Sequence, residues 1–288
     1  MKNTNRHHFM LMLGSIVVVI SLILGIWTIE SKKIEEPVFL THYINAVAYE
    51  EGEVLFRLHY ITNAEDTSVL NSIDFSDFNS VVYSEYEYVQ EGQFYTYHNV
   101  DLKCNLSPED KVAISNGGII KLTTGKAHMN NGSEFNVDFG VITIEKRKES
   151  SMNLSGSRSS NSNDNEESFS FYGYDGLVIK SMKTNGIVNI SDKIYMHIDD
   201  VDNNMTEFQS IKDFNYPVNT GNRVNVEIKS DNLIEENIVY NLRLRFQCET
   251  KNGKDAEFTM FISNSADYID DKVMDKIIKK VKQVKEDE

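Results

Sequence analysis

Residues Glu53–Thr62 read EVLFRLHYIT, and their alternation decides the class of fold. Val54, Phe56, Leu58 and Tyr60 recur at every second position, the period that lines one face of a β-strand. A helix would space its apolar residues three and four apart. The two-residue period continues on both sides. Phe39–Tyr49 and Val69–Phe75 carry it, and Val81–Val89 and Gln93–Lys103 flank a Glu91-Gly92 turn as a hairpin. Gly118–Thr124 and Phe135–Glu145 lie around the turn sequence Asn130-Asn131-Gly132. About seven short strands in ~100 residues is the count of an Ig-like sandwich. Residues 37–148 are therefore expected to form a first Ig-like β-sandwich domain.

Further along, Leu177–Lys183, Ile187–Ile190 and Lys193–Asp199 form one set of strand patterns. Arg223–Lys229, Ile238–Glu249 and Ala256–Ile262 form another. Lys251-Asn252-Gly253-Lys254 is a hairpin turn between the last two. Residues 169–263 are expected as a second Ig-like β-sandwich. The closing hairpins of the two blocks share an order: strand, Asn-Gly turn, then Glu-Phe (Glu134-Phe135 and Glu257-Phe258), as diverged copies would. Between the blocks, residues 149–168 read ESSMNLSGSRSSNSNDNEES. A segment with so little to bury does not offset its ordering entropy, so a flexible linker is expected there.

The ends differ from this pattern. Phe9–Ile29 reads FMLMLGSIVVVISLILGIWTI, without one charge. As a helix it covers roughly 31 Å, close to the ~30 Å hydrocarbon core of a bilayer. Trp27 and Ile29 stand where small residues would mark a signal cleavage site, and Trp27 suits an interface. Residues 9–29 thus read as an uncleaved transmembrane signal anchor, followed by a juxtamembrane stalk over 30–36. Lys2 and Arg6 on one side balance Lys32 and Lys33 on the other, so the free amino terminus decides. It places residues 1–8 in the cytoplasm and the bulk of the chain outside a plasma membrane crossed once.

At the other end, residues 264–288 change period. Met274, Ile277, Val281 and Val284 follow a 3-4-3 spacing, with Val273 and Ile278 widening the stripe of an amphipathic helix. Asp267, Asp270 and Asp271 precede Lys279, Lys280 and Lys282, the order the helix dipole favours. The stripe has three uses: docking on the second sandwich, contact with another protein, or a membrane surface.

Composition narrows the function classes. The 288 residues carry a formal net charge of −15, which argues against nucleic acid as a partner. The two cysteines, Cys104 and Cys248, fall on apolar strand faces and read as core residues, too few for a disulfide scaffold. No nucleophile elbow, phosphate loop or dinucleotide fingerprint is present, so neither catalytic nor cofactor residues are assigned. Histidines 42, 59, 98, 128 and 197 are scattered, without metal-ligand spacing. The acidic run Asp199–Asn204 lacks the glycine and glutamate of a calcium loop and reads as a solvated turn.

Two groups are candidates for partner contact. Tyr86 and Tyr88 share one strand face, and Tyr95 and Tyr97 share one on the next strand. Exposed, these rings would bind sugar or peptide; buried, they would be cross-strand core pairs. Met274, Ile277, Val281 and Val284 of the tail helix are the second group. The sequence as a whole is that of a membrane-anchored, extracytoplasmic, non-enzymatic binding or accessory protein of the cell envelope, with another envelope protein as partner. Alternatives are a cell-wall or carbohydrate-acting enzyme, or an assembly scaffold working through the tail helix.

Overall fold

The computed structural model of the chain describes residues 2–147, 156–161, 166–172, 177–183, 193–198, 206–207, 216–218, 223–264 and 269–287. Helix α1 (Lys2–Lys32) opens the chain. Its stretch Met12–Lys32 is 21 residues long, apolar enough to cross a membrane, and unburied by the rest of the protein.

The first block holds β1 (Val38–Phe39), β2 (Thr41–Ala48), β3 (Glu53–Asn63), β4 (Leu70–Phe75), β5 (Val82–Glu91), β6 (Tyr95–Asn105), α2 (Pro108–Ser115), β7 (Ile120–Met129) and β8 (Glu134–Lys146). The strands run β3-β6-β5-β4-β7-β8-β2, and β2 returns to β3 where Ala48 pairs Val54. Seven strands thus close into a barrel, not the expected Ig-like sandwich. The physical reason is one strand: β2 pairs β8 in parallel from His42–Gly140 to Ala48–Lys146, joining the block's last strand to its second. The alternating residues are core as read, with Val54, Phe56, Leu58, Val100, Leu102 and Ile142 inside the barrel. Gly140 has φ 83°, and a Cβ there would lie 2.4 Å from the His42 carbonyl oxygen, so β2 and β8 meet only because this residue is glycine. Helix α2 had no apolar period to announce it. Its Ser107 N-cap accepts from the Asp110 N–H, and Pro108 opens the first turn.

Away from Ala48–Val54, β2 and β3 part. Strand β1 pairs β3 in the gap (Val38–Ile61, Phe39–Tyr60). His42 bridges the rest, its Nε2 accepting the His59 backbone N–H at 2.9 Å. The His42 ring stacks on His59, and His59 stacks on Tyr97. The Tyr97 hydroxyl lies 2.6 Å from His59 Nδ1. All three residues are buried. Desolvation pushes the His42 pKa down to about 3 and that of His59 well below its ordinary value. Both rings are neutral at pH 7.

The second block holds β9 (Gly156–Asn161), β10 (Glu166–Tyr172), β11 (Leu177–Lys183), β12 (Ile194–Ile198), β13 (Thr206–Glu207), β14 (Tyr216–Val218), β15 (Arg223–Ser230), β16 (Ile238–Thr250) and β17 (Asp255–Ser263). A five-stranded sheet runs β13-β12-β15-β10-β9, while β16 carries β17 on one edge and β11-β14 on the other. The two sheets enclose one core: Met196 and Val226 from the first meet Ile179, Leu244 and Phe258 from the second. Part of the expected linker is strand, since β9 and the start of β10 fall within it. Expected strand Ile187–Ile190 and the acidic run Asp199–Asn204 lie outside the described residues.

The two blocks share a sheet. The start of β16 pairs β2 in parallel, Ile238–Thr41 through Asn241–Ile44. Polar groups lock this seam. The Asn45 amide donates to Thr143 Oγ1 at 2.7 Å, and the Arg243 N–H donates to Asn45 Oδ1 at 3.0 Å. Glu145, buried beside them, is held by Arg243 at 3.5 Å and by Arg245.

Helix α3 (Asp271–Asp287) closes the chain. Its apolar stripe lies across the outside of the barrel and the start of β16, so it touches the second block as well as the first. Met274, Ile277 and Ile278 form one cluster with Leu40, Ile61, Tyr95, Tyr97, Ile234 and Val239. The same helix grips the end of α1. Lys282 Nζ donates to the Ser31 and Lys33 carbonyls at 3.2 and 2.9 Å, groups a helix C-terminus leaves without partners. Lys32 pairs with Asp275 and lies over the Phe94 ring. Tyr95 Oη donates to the Lys32 carbonyl at 2.7 Å, and Asn63 exchanges two hydrogen bonds with the Ile34 backbone. The barrel therefore sits directly on the exit of α1.

Candidate functional site at the free edge of the barrel

Strand β5 is the weak point of the barrel wall. It pairs β6 along its whole length, from Val82–Cys104 to Glu91–Thr96. On its other side it pairs β4 at only two positions, Ser72–Tyr83 and Ile73–Val82. Among the described residues no strand lies beside Ser84–Glu91 on that edge. At roughly 3.3 Å per residue this leaves about 26 Å of strand edge with unpaired backbone N–H and C=O groups.

The side chains along that edge are apolar and acidic. Tyr86 is 63% exposed and Tyr88 49%. They stand opposite Asp101 and Asn99 on the outer face of the barrel. Val81, Tyr83 and Val89 are exposed nearby, as are Glu85 and Glu91. Tyr95 and Tyr97 lie on the same outer face but are buried, because α3 covers that half. The four tyrosines are thus one face divided by a helix. The boundary is Gln90, whose side-chain amide bonds the Ile269 backbone in both directions just ahead of α3. Burial, with Asp275 nearby, pushes the Tyr95 hydroxyl up to about 12. Of the tail-helix candidates, Met274 and Ile277 are buried against the barrel, Val281 is half-buried, and Val284 is exposed.

Behind the edge, the inward side chains of β5 meet a polar row that sequence spacing did not reveal. Tyr60 Oη donates to Glu87 Oε1 at 2.6 Å and accepts the Leu70 N–H at 3.1 Å. His98 Nδ1 lies 2.7 Å from the same carboxylate oxygen, and His98 Nε2 lies 2.9 Å from Thr62 Oγ1. An Nδ1–H donated to Glu87 leaves Nε2 to accept the Thr62 hydroxyl. The Tyr60 and His98 rings stack at 4.2 Å. Desolvation raises the Tyr60 hydroxyl well above its ordinary value, helped by Glu87. The order hydroxyl–imidazole–carboxylate is that of a nucleophilic triad. Thr62, however, is 1% exposed and Tyr60 fully buried, so a substrate carbonyl has no path to Oγ1. The row satisfies polar groups where β5 leaves β4. Its one sequence signal was Glu87, an acid at an inward position of β5.

No cluster of three or more His, Cys, Asp or Glu side chains that could hold a metal ion occurs among the described residues. Cys104 and Cys248 are free and buried, and desolvation pushes each thiol up to about 12.

No family model and no curated protein matches this chain. Among solved structures, one similar chain is a protein of unknown function from Porphyromonas gingivalis W83. It is 8% identical, with 78% of this chain and 95% of that one covered, at a TM-score of 0.24. Another is the secreted serine protease VesC from Vibrio cholerae. It is 6% identical, covering 76% of this chain and 49% of that one, at a TM-score of 0.18.

Proposed function

We propose that this protein is a single-pass, membrane-anchored binding module whose barrel works outside the cytoplasm and captures an extended segment of another envelope protein on the edge of β5. The observation that carries the reading is the unpaired run Ser84–Glu91, flanked by exposed Tyr86 and Tyr88. An added strand would gain main-chain hydrogen bonds from the edge, and alternate side chains would pack on the tyrosines. Glu85 and Glu91 on the strand, and the net charge of −15, favour a basic partner segment. The occluded Thr62–His98–Glu87 row supports binding over the rival reading of a cell-wall or carbohydrate-acting enzyme. The packing of Met274 and Ile277 against the barrel leaves the scaffold reading only the exposed Val284 end of α3.

A photo-crosslinking residue at position 88, in intact cells, tests this. It is expected to trap a discrete protein adduct that is lost when Val89→Pro is added and absent when the probe sits at exposed Val112 on α2. Equal labelling at 88 and 112, or an adduct indifferent to Val89→Pro, would reject the edge as the contact. External protease digesting the barrel only after lysis would reject the orientation.

A further inference from the structure

A cleft of 540 Å³ lies between the last turns of α1 and the floor of the barrel. It has two halves. Gly25, Thr28 and Ile29 form a wall on the apolar helix, while Glu30, Lys33 and Glu65 surround the other end. At Gly25 the helix presents no side chain, and a Cβ there would meet nothing within 4 Å. All three charged groups are exposed. Lys32, also at the cleft, is engaged by Asp275. Lys33 is therefore the lining cation left for a ligand, with the carboxylates of Glu30 and Glu65 lining the same cleft. The volume is within the ~300–1,000 Å³ range of small-molecule sites, but its walls pass from apolar to charged at the level where α1 leaves the hydrocarbon.

We propose that this cleft holds one membrane phospholipid whose headgroup carries both a phosphate and a primary amine. The phosphate lies at Lys33, the ammonium lies between Glu30 and Glu65, and the upper acyl chain runs along the groove that Gly25 leaves on α1. Charge complementarity selects the occupant. One cation with two carboxylates matches an ethanolamine-type headgroup, whereas an anionic glycerol headgroup would meet two like charges and a choline headgroup has no N–H for them. The apolar half requires a chain, so a free phosphoamine does not fill the site. The braces from Lys282, Tyr95 and Asn63 hold the two walls at a fixed distance, so the cleft is formed before its ligand arrives. The inference rests on α1 being a membrane span.

The test uses the full chain, purified in detergent and mixed with ethanolamine, glycerol or choline phospholipids of the same chains, with bound lipid read by native mass spectrometry. One equivalent of the ethanolamine lipid is expected, at least five-fold more occupied than the others. Gly25→Leu and Lys33→Glu should each reduce that occupancy at least five-fold. Gly14→Leu, the other glycine of α1 and equally free of neighbours, should leave it unchanged. Equal occupancy by all three lipids, an equal loss in Gly14→Leu, or a co-purifying single-span protein lost in Gly25→Leu in place of lipid would each overturn the proposal. Resistance of the wild-type chain to alkaline extraction from membranes checks the span separately. An extracted chain would reject the anchor reading itself, whatever the lipid result.

Discussion

Mild acid should loosen the barrel through His42. In the folded chain its ring is desolvated, its pKa is held at about 3, and its Nε2 accepts the His59 N–H. In the unfolded chain it titrates near 6.5. Below that pH the unfolded state binds a proton that the folded state refuses, so stability falls as pH falls. Between pH 7.5 and 5 the loss from His42 alone is about 2 kcal/mol, at 1.36 kcal/mol per pH unit. His59 adds a loss of the same sign, its pKa lowered by burial and then by His42 and Arg57. Urea titration in detergent at both pH values measures this. Far-ultraviolet and tyrosine near-ultraviolet circular dichroism are the signals, because Trp27, the single tryptophan, lies in α1. Replacing His42 by Gln keeps a side-chain acceptor and removes the titration. The pH-dependent loss should then shrink by about 2 kcal/mol. An unchanged pH dependence in His42→Gln would refute the argument that the seam between β2 and β3 is closed by a neutral imidazole.

Ile277→Ala should destabilise the folded chain by about 2–5 kcal/mol and speed amide exchange across α3, since Ile277 is fully buried; unchanged exchange would mean the helix does not depend on this contact. Replacing Arg243 by Met removes one of the two arginines that hold buried Glu145, the other being Arg245, and about 3–5 kcal/mol of stability should be lost; a neutral result in urea would show the seam does not need the arginine. Ser107→Ala removes the N-cap of α2 and should cost about 1 kcal/mol in the same titration. Both thiols should resist maleimide at pH 7.5 in the native chain and react in urea, because each is buried and pushed up to about 12; fast native labelling would contradict that burial.

Local periodicity carried much of this structure, and long-range closure did not. The alternation of Val54, Phe56, Leu58 and Tyr60 marked the strand face that lines the barrel core, as found, while the burial of His59 and Ile61 on the other face was not legible. The turns at Asn131-Gly132 and Asn252-Gly253 were legible from residue chemistry, and both glycines adopt positive φ. Barrel and sandwich strands share one alternation, so no residue in β2 announced that it would pair with β8. The division of the tyrosines was hidden for the same reason. Tyr88 and Tyr97 occupy equivalent positions on one face, and only the docking of α3, far away in sequence, buries one and leaves the other. The linker reading failed where Gly156–Asn161 and Glu166–Tyr172 pair with each other, their backbones supplying a ladder that side-chain polarity concealed. The Thr62–His98–Glu87 row needs three strands in register, so beyond the inward Glu87 it has no linear signature.

The parallel pairing of β2 with β16 has a consequence for how the molecule is made. Thr41 finds Ile238 across ~200 residues, a closure whose entropy grows only slowly with length but whose search is slow. During synthesis, the second strand of the chain waits with an open flank until nearly the last strand has emerged. The flank of β2 over Thr41–Ile44 is therefore covered only once β16 has emerged, and a chain cut short before residue 238 displays two open strand flanks, one at β5 and one at β2. Premature termination before β16 should yield sticky fragments and not a smaller working domain.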